Sequence, residues 1–389
     1  MTLRLFIVFL LLASFTKAQE SSLEFNTDFG LINNHLSQKL IIESNGFLDD
    51  AKKNNIISAL NAVNYLHLGV NNGLKYQNKS GWSLGFENHL EAYATYSEDF
   101  IKLTLLGNAP FKGETLHLEP LGISAYHYSE IEVGYQWNTK LNTSISLLAG
   151  HHFVDLLVNK ATFYTDEFTD FFEYDLAFEG HFSDTTDLQN NLFAVNGKGA
   201  ALNAQYTDSI ENIRYNLFVK DFGMIKWNEK TTNTLVESQW KFEGVNIDDF
   251  IAFNDSILEN YFDSIQGIFQ KNNQESYTWQ LPVTFGLNLF QSINAKVIDA
   301  YSFSLEHKPR FYDYPRFGVD VHKNLRKHTF SLGYFYGGYE KPGFQFAYNF
   351  KGKRTQFKLF TKSASSIVPS QNYGVHLGIG IKRVFSASK

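Results

Sequence analysis

Two adjacent histidines, His151-His152, are the most conspicuous residues in this chain whose type could ligate a metal. In an extended strand successive side chains point to opposite faces, so the two rings are expected on opposite sides and make poor joint ligands. A position in an aromatic girdle or a loop is the expected role. The chain has no cysteine, which excludes thiol chemistry and disulfides and leaves any zinc site to histidine and carboxylate alone. No HExxH, GxSxG, Walker or glycine-rich strand-to-helix motif occurs, and the Ser, His and Asp residues show no spacing that singles out a triad. No catalytic residue, metal ligand or cofactor is therefore assigned, and the expected class is not an enzyme.

Glu306-His307-Lys308-Pro309-Arg310-Phe311-Tyr312-Asp313-Tyr314-Pro315-Arg316 is richer. Two prolines and alternating charge make a rigid polar connection between strands. Glu306, His307, Arg310, Asp313 and Arg316 could grip a ligand or partner there, or pair among themselves in solvent.

The elements that must carry these groups have a period of two. Phe344, Phe346, Tyr348 and Phe350 alternate with Gln345, Ala347, Asn349 and Lys351, and Val375, Leu377, Ile379 and Ile381 alternate with His376, Gly378, Gly380 and Lys382. Ile131 to Trp137 and Leu141 to Leu147 alternate likewise around Asn138-Thr139-Lys140, the pattern of a hairpin. Further runs cover Ile213 to Lys220, Leu281 to Leu289, Ala300 to Glu306, Phe317 to His322 and His328 to Tyr336. Such segments number on the order of 14, most near the ~9–11 residues with which a tilted strand crosses a bilayer. A soluble β-sandwich would also alternate, but aromatic residues at strand ends and the absence of a domain break favour a barrel. The expected fold is all-β: a transmembrane antiparallel β-barrel with a few short loop or plug helices. Its polar face holds Arg214, Lys220, Gln345, Asn349, Lys351, Gln356, Lys358, His376 and Lys382 as lumen or ligand candidates.

Three stretches break the period and read as helical insertions, at residues 48–62, 97–106 and 247–270. In the last, Phe250, Ile251, Leu258, Phe262, Ile265 and Phe269 fall at helical spacing opposite Asp248, Asp249, Asp255, Glu259 and Asp263. That acidic face disfavours an anionic membrane surface, so the segment is expected to pack on the barrel mouth or plug the lumen.

Charged residues make up 19% of the chain and aromatics 16%, with a formal net charge of -6 and no basic block, which excludes a nucleic-acid partner. No internal apolar run is long enough for a membrane helix. At the N-terminus Arg4 precedes the apolar stretch Leu5 to Ala13 and a small-residue cut site after Ala18, the layout of a cleaved signal peptide. Residues 1–18 are thus expected to be a secretory signal and 19–389 the barrel.

Tyr373 to Phe385 resembles the closing strand of outer-membrane barrels, whose terminal aromatic is an assembly signal; here Ser386 to Lys389 follows Phe385. The stretch from Phe47 through Trp137, including Leu106-Gly107-Asn108, and Ile225 to Asn228 followed by Phe242-Glu243-Gly244, resemble an uncharacterised family of Bacteroidota outer-membrane proteins. That family is similar in architecture to fatty-acid-transporter-like and type IX secretion-associated barrels. The resemblance implies the outer membrane of a Gram-negative cell, with its lipid and the barrel assembly machinery as partners. It further implies transport of a small or hydrophobic solute, with a non-conducting scaffold that serves a secretion partner as the alternative. Asp-Ser-Ile at Asp208, Asp255 and Asp263 resembles an O-glycosylation acceptor motif of the same bacteria.

Overall fold

Alternation along a strand makes one face apolar and the other polar, and a sheet of such strands can close on itself with either face inward. In this chain the polar face turns inward. The structure, a computed structural model, describes residues 20–34, 48–184, 192–243, 272–293, 295–311, 314–338, 342–363 and 374–386.

The strands are β1 (Glu20–Asn33), β2 (Val63–Gln77), β3 (Trp82–Ser97), β4 (Thr115–His117), β5 (Leu121–Gln136), β6 (Leu141–Thr165), β7 (Phe172–Phe182), β8 (Gly197–Ile210), β9 (Ile213–Trp227) and β10 (Thr232–Phe242). They continue as β11 (Asn272–Gln274), β12 (Thr278–Gln280), β13 (Thr284–Ser292), β14 (Ala300–His307), β15 (Arg316–Leu325), β16 (His328–Tyr336), β17 (Gly343–Lys351), β18 (Thr355–Thr361) and β19 (Gly374–Ser386). All pairings between them are antiparallel, and 14 strands close a barrel in the order β1-β2-β3-β5-β6-β8-β9 and then β13 through β19. The ring closes where β1 meets β19, from Glu20 against Ser386 to Ile32 against Gly374. Closure leaves the ring of 14 strands without a free edge, which a hydrocarbon surrounding demands.

Phe25, Phe29, Phe86, Leu90, Val133 and Leu147 project outward and are exposed, as are Val319, Leu332 and Phe344 on the opposite wall. Trp82, Trp137 and Tyr301 sit exposed at one end of the wall, while Tyr334 and Tyr336 sit toward the other, where interfacial aromatics belong. At the first end the connections are short, including the two-residue turns at 211–212 and 326–327, opened by the left-handed φ of Glu211 (50°) and Arg326 (58°). Both ends of the described chain lie there. The opposite end carries every long connection, the asymmetry of barrels whose short turns face the periplasm.

Helices α1 (Asp50–Ala59) and α2 (Glu98–Leu106) lie in two of those long connections, within the stretches 48–62 and 97–106. Asp49 caps α1 by accepting from the Lys52 N–H (2.8 Å), and Ser97 caps α2 by accepting from Phe100 (3.1 Å). No described helix is long and apolar enough to cross a membrane. The third expected helix, 247–270, with Phe250, Ile251, Leu258, Phe262, Ile265 and Phe269, lies outside the described residues, as do residues 1–19.

β6 has 25 residues, so it spans about 80 Å at ~3.3 Å per residue, far more than a bilayer needs. Its first part pairs with β8 in the wall, and its second part leaves the barrel to pair with β7, which pairs with β10. This projecting sheet stands over the long-loop end.

Candidate functional site

The lumen is built from side chains two residues apart on neighbouring strands. Glu87, His89, Glu91 and Tyr93 of β3 face Glu130, Tyr128, Tyr126 and Ser124 of β5 across the ladder, and Glu132 follows below. Glu132 accepts from Lys75 of β2 (2.6 Å), Ser144 of β6 (2.8 Å) and Asn203 of β8 (3.1 Å). Four strands thereby converge on one carboxylate. Glu91 accepts from the hydroxyls of Tyr93 and Tyr126 and lies 3.2 Å from the His67 ring and 3.9 Å from Lys308. Between these two centres, His89 lies 3.7 Å from Glu87 and 3.6 Å from Glu130.

A β-bulge farther round the same wall joins this network. Asn203 of β8 stands against both Lys220 and Asp221 of β9, because the register shifts between Leu202 and Ala204. The Asn203 side chain holds the bulge by accepting from the Asp221 N–H (2.8 Å), and Asp221 takes a left-handed φ of 61°. Lys220 and Asp221 both reach a cavity of about 370 Å³, shared with Lys75, Glu87, His89 and Glu130.

Above this charged layer the lumen is aromatic. Tyr93, Tyr126, Tyr128, Phe153, Trp227 and Trp279 form a buried cluster, with Trp227 stacked on Phe153 at 4.3 Å. Over it opens a second cavity of about 660 Å³ at the long-loop mouth, lined by Tyr65, Tyr93, Ile123, Leu157, Tyr277 and Phe311, with Asp155 and Arg310 among its polar groups. The Tyr277 hydroxyl donates to Asp155 (3.3 Å), and burial, then the neighbouring Asp155 charge, push its pKa up to about 12, so it stays a donor.

Between the two cavities lies the connection from β14 to β15. The sequence left its charges either gripping a ligand or pairing with one another; instead they pair with other strands. Arg310 donates to Asp155 of β6 (2.8 Å), Lys308 reaches into the lower cavity toward Glu91, and Phe311 stacks on Tyr93 with ring centroids 3.6 Å apart. Glu306 lines the lower cavity and His307 sits on the outward face of β14 with Leu305 and Phe303. Arg316 donates to Gln345 (3.3 Å) and to the Lys362 carbonyl (2.8 Å); Asp313 lies outside the described residues.

The nine residues taken from the polar face do not converge on one point. Gln345, Asn349 and Lys351 of β17, Gln356 and Lys358 of β18, and His376 and Lys382 of β19 share one face by register. Gln345 bridges Arg316 and Asp320, Lys382 lies 3.4 Å from Glu24, and His376 lies 3.8 Å from Asp28. Arg214 lies over the Phe290 ring at 5.0 Å, well away from Lys220. Of the nine, Lys220 alone is among the residues lining the lower cavity.

The histidine pair departs from expectation. A register shift opposite His127 and Tyr128 makes His151 the extra residue of a bulge, so strict alternation fails there. Both rings lie near His127, at 4.7 Å and 6.4 Å between centroids, on one side of the wall and under Phe193. Glu87, His89, Glu91 and Glu130 were missed by motif, although Glu87-Asn88-His89-Leu90-Glu91 and Glu130-Ile131-Glu132 carry the period-two signal of titratable groups on one strand face.

A closed antiparallel barrel with an apolar exterior and a charged, polar lumen is a transmembrane β-barrel of the outer-membrane kind. The chain belongs to a family of unknown function, DUF5723, whose profile matches residues 7–385. No curated protein matches it. Among solved structures it is similar to the Pseudomonas putida toluene transporter TodX (TM-score 0.37, 10% identity, 97% of this chain and 91% of that one). It is also similar to a Pseudomonas aeruginosa FadL homologue (TM-score 0.41, 7% identity, 96% and 91%) and to the Ralstonia pickettii toluene transporter TbuX (TM-score 0.35, 8% identity, 96% and 90%). Overlaps this loose say nothing of what the chain handles.

Proposed function

We propose that this barrel takes a small, largely apolar solute at its long-loop mouth and passes it into the lumen when the connection between β14 and β15 moves aside. One observation carries the reading. The mouth cavity, about 660 Å³, has the size of a small-molecule site, with aromatic and aliphatic walls from Tyr65, Tyr93, Ile123 and Phe311 and with Arg310, Asp155, Glu179 and His181 as charged or titratable anchors. Phe311 on Tyr93 and Lys308 near Glu91 separate this cavity from the charged lumen below, so they act as the gate. Membrane lipid along the outer band and the assembly machinery at the Phe385 end are the proposed partners; Phe385 is 46% exposed on the lipid-facing side of β19.

The test is a titration of the purified barrel with N-phenyl-1-naphthylamine, an apolar aromatic probe, read by its own fluorescence. The expected result is saturable binding that weakens about tenfold in Tyr93→Ala, the loss of one aromatic contact in a desolvated pocket. Binding that is unsaturable, or equal in Tyr93→Ala and Tyr65→Ala to the parent, overturns the reading.

A further inference from the structure

Among the described residues, Glu87, His89 and Glu130 stand together in the lumen without a close side-chain ion pair. Glu132 has Lys75, Ser144 and Asn203, and Glu91 has two tyrosine hydroxyls, His67 and Lys308. Glu87 and Glu130 meet only His89 among the described residues, at separations too long for hydrogen bonds. Glu130 is 4% exposed, yet its Oε2 has no hydrogen-bond partner, and neither has His89 Nε2. A buried carboxylate oxygen with nothing to accept from is costly, and in a native fold it calls for an occupant.

The orientation of the imidazole says what that occupant is. Asn71 donates through Nδ2 to Asp28 (3.4 Å), so its Oδ1 faces His89 Nδ1 at 2.9 Å and accepts from it. With the proton held on Nδ1, the lone pair of Nε2 points at the two carboxylates. Outer hydrogen bonds of this kind fix the tautomer of metal-binding histidines. One ligand atom each from Glu87, His89 and Glu130 can be chosen so that all lie within 4.8 Å of one another. Two ligands at ~2.1 Å from an ion, at the tetrahedral angle, lie about 3.4 Å apart. The observed 3.6 and 3.7 Å are close to that spacing, whereas a charged N–H···O bond needs about 2.8 Å.

We propose that Glu87, His89 and Glu130 bind a divalent first-row transition metal of the Zn²⁺ type, with one water as the fourth, tetrahedral ligand. An imidazole nitrogen with two carboxylates favours such an ion over Mg²⁺ or Ca²⁺, which take oxygen alone. The side facing the cavity of about 370 Å³ stays open for water, and the Glu87 side chain, 41% exposed into it, can adjust to close the shell. The site lies below the aromatic layer and is independent of the solute proposed for the mouth.

The experiment uses the tag-free full barrel, stripped with chelator and dialysed against Zn²⁺ in detergent, with bound metal counted by mass spectrometry. One Zn²⁺ per chain is expected, undisturbed by excess Mg²⁺. Glu130→Gln and His89→Gln should each weaken retention at least tenfold, and Asn71→Leu about tenfold through loss of the outer hydrogen bond. Glu24→Gln, in the distant pair with Lys382, and His151→Gln, on the outer wall, should retain the full equivalent. Heat-modifiable gel mobility reports whether each variant is folded. Should the triad variants fail to fold, Co²⁺ loaded into the parent barrel gives the same decision, since a low-coordinate nitrogen and oxygen site yields intense visible absorption. No stoichiometric metal in the parent, unchanged retention in both triad variants, or a colourless Co²⁺ form overturns the proposal.

Discussion

The indole of Trp227 on β9 occupies the space that a side chain at Gly150 on β6 would need: a Cβ there would come within 2.7 Å of the ring carbon Cη2. The ring reaches β6 across β8, where Gly197 is equally bare, since a Cβ there would fall 2.7 Å from Ile225 and 2.9 Å from Trp227. Two glycines on two strands thus admit one fully buried tryptophan, which in turn stacks on Phe153 and supports the aromatic layer.

Gly150→Val should destabilise the barrel by about 1–3 kcal/mol, because the indole must leave its place, and Trp227→Ala by about 3–5 kcal/mol through the cavity left behind. Urea midpoints of the heat-modifiable band would measure both. A Gly150→Val barrel as stable as the parent would mean the layer repacks freely.

The two faces of the wall should differ sharply toward charge. Phe346→Lys places an ammonium against lipid, a cost of about 2–4 kcal/mol near the bilayer centre, and should abolish assembly. Gln345→Lys is no neutral control, since Gln345 accepts from Arg316 and donates to Asp320. Gln205→Lys, lining the cavity, is the better one and should assemble normally. Surface display counted in whole cells separates the two outcomes.

The seam can be read with cysteines, because the chain has none of its own. Thr27 stands against Ile379 across β1 and β19. Paired Cα atoms in an antiparallel ladder are about 4.5–5.5 Å apart, within the range of a disulfide. Thr27→Cys with Ile379→Cys should cross-link on mild oxidation, seen as a mobility change on a denaturing gel without reductant. Thr27→Cys with Val375→Cys, displaced by four residues, should not.

Cutting the ties of the β14–β15 connection should open the barrel. Arg310→Ala removes the bond to Asp155, and Phe311→Ala removes the ring stacked on Tyr93. Together they should raise single-channel conductance in planar bilayers severalfold while leaving the urea midpoint within about 1 kcal/mol, since the connection lies outside the ladder. Conductance unchanged from the parent would remove this connection from the role of gate.

The sequence by itself determined the wall. A period of two needs only the strand geometry to become two faces, so the strand runs, the hairpin at residues 138–140, the apolar exterior of Phe344 to Phe350 and the count near 14 were all legible, and the two short helical stretches announced themselves by breaking the period. What the period cannot carry is a place where it is broken by one residue. The bulges at His151 and at Lys220-Asp221 turn side chains that alternation assigns elsewhere, and each is held by cross-strand contacts that a period of two does not encode, such as the Asp221 N–H donating to the Asn203 side chain of the neighbouring strand. Nor could the sequence place the connection from Lys308 to Phe311, whose partners Glu91, Tyr93 and Asp155 stand on β3 and β6. Strand pairing sets β3 beside β5, β5 beside β6, and β8 between β6 and β9, and the curvature of the ring turns their polar faces toward one another and toward the β14–β15 connection. The meeting of Glu87, His89 and Glu130, the convergence on Glu132 and the fit of Trp227 over Gly150 are therefore tertiary decisions, made by which strands the ring sets side by side and by where its bulges fall.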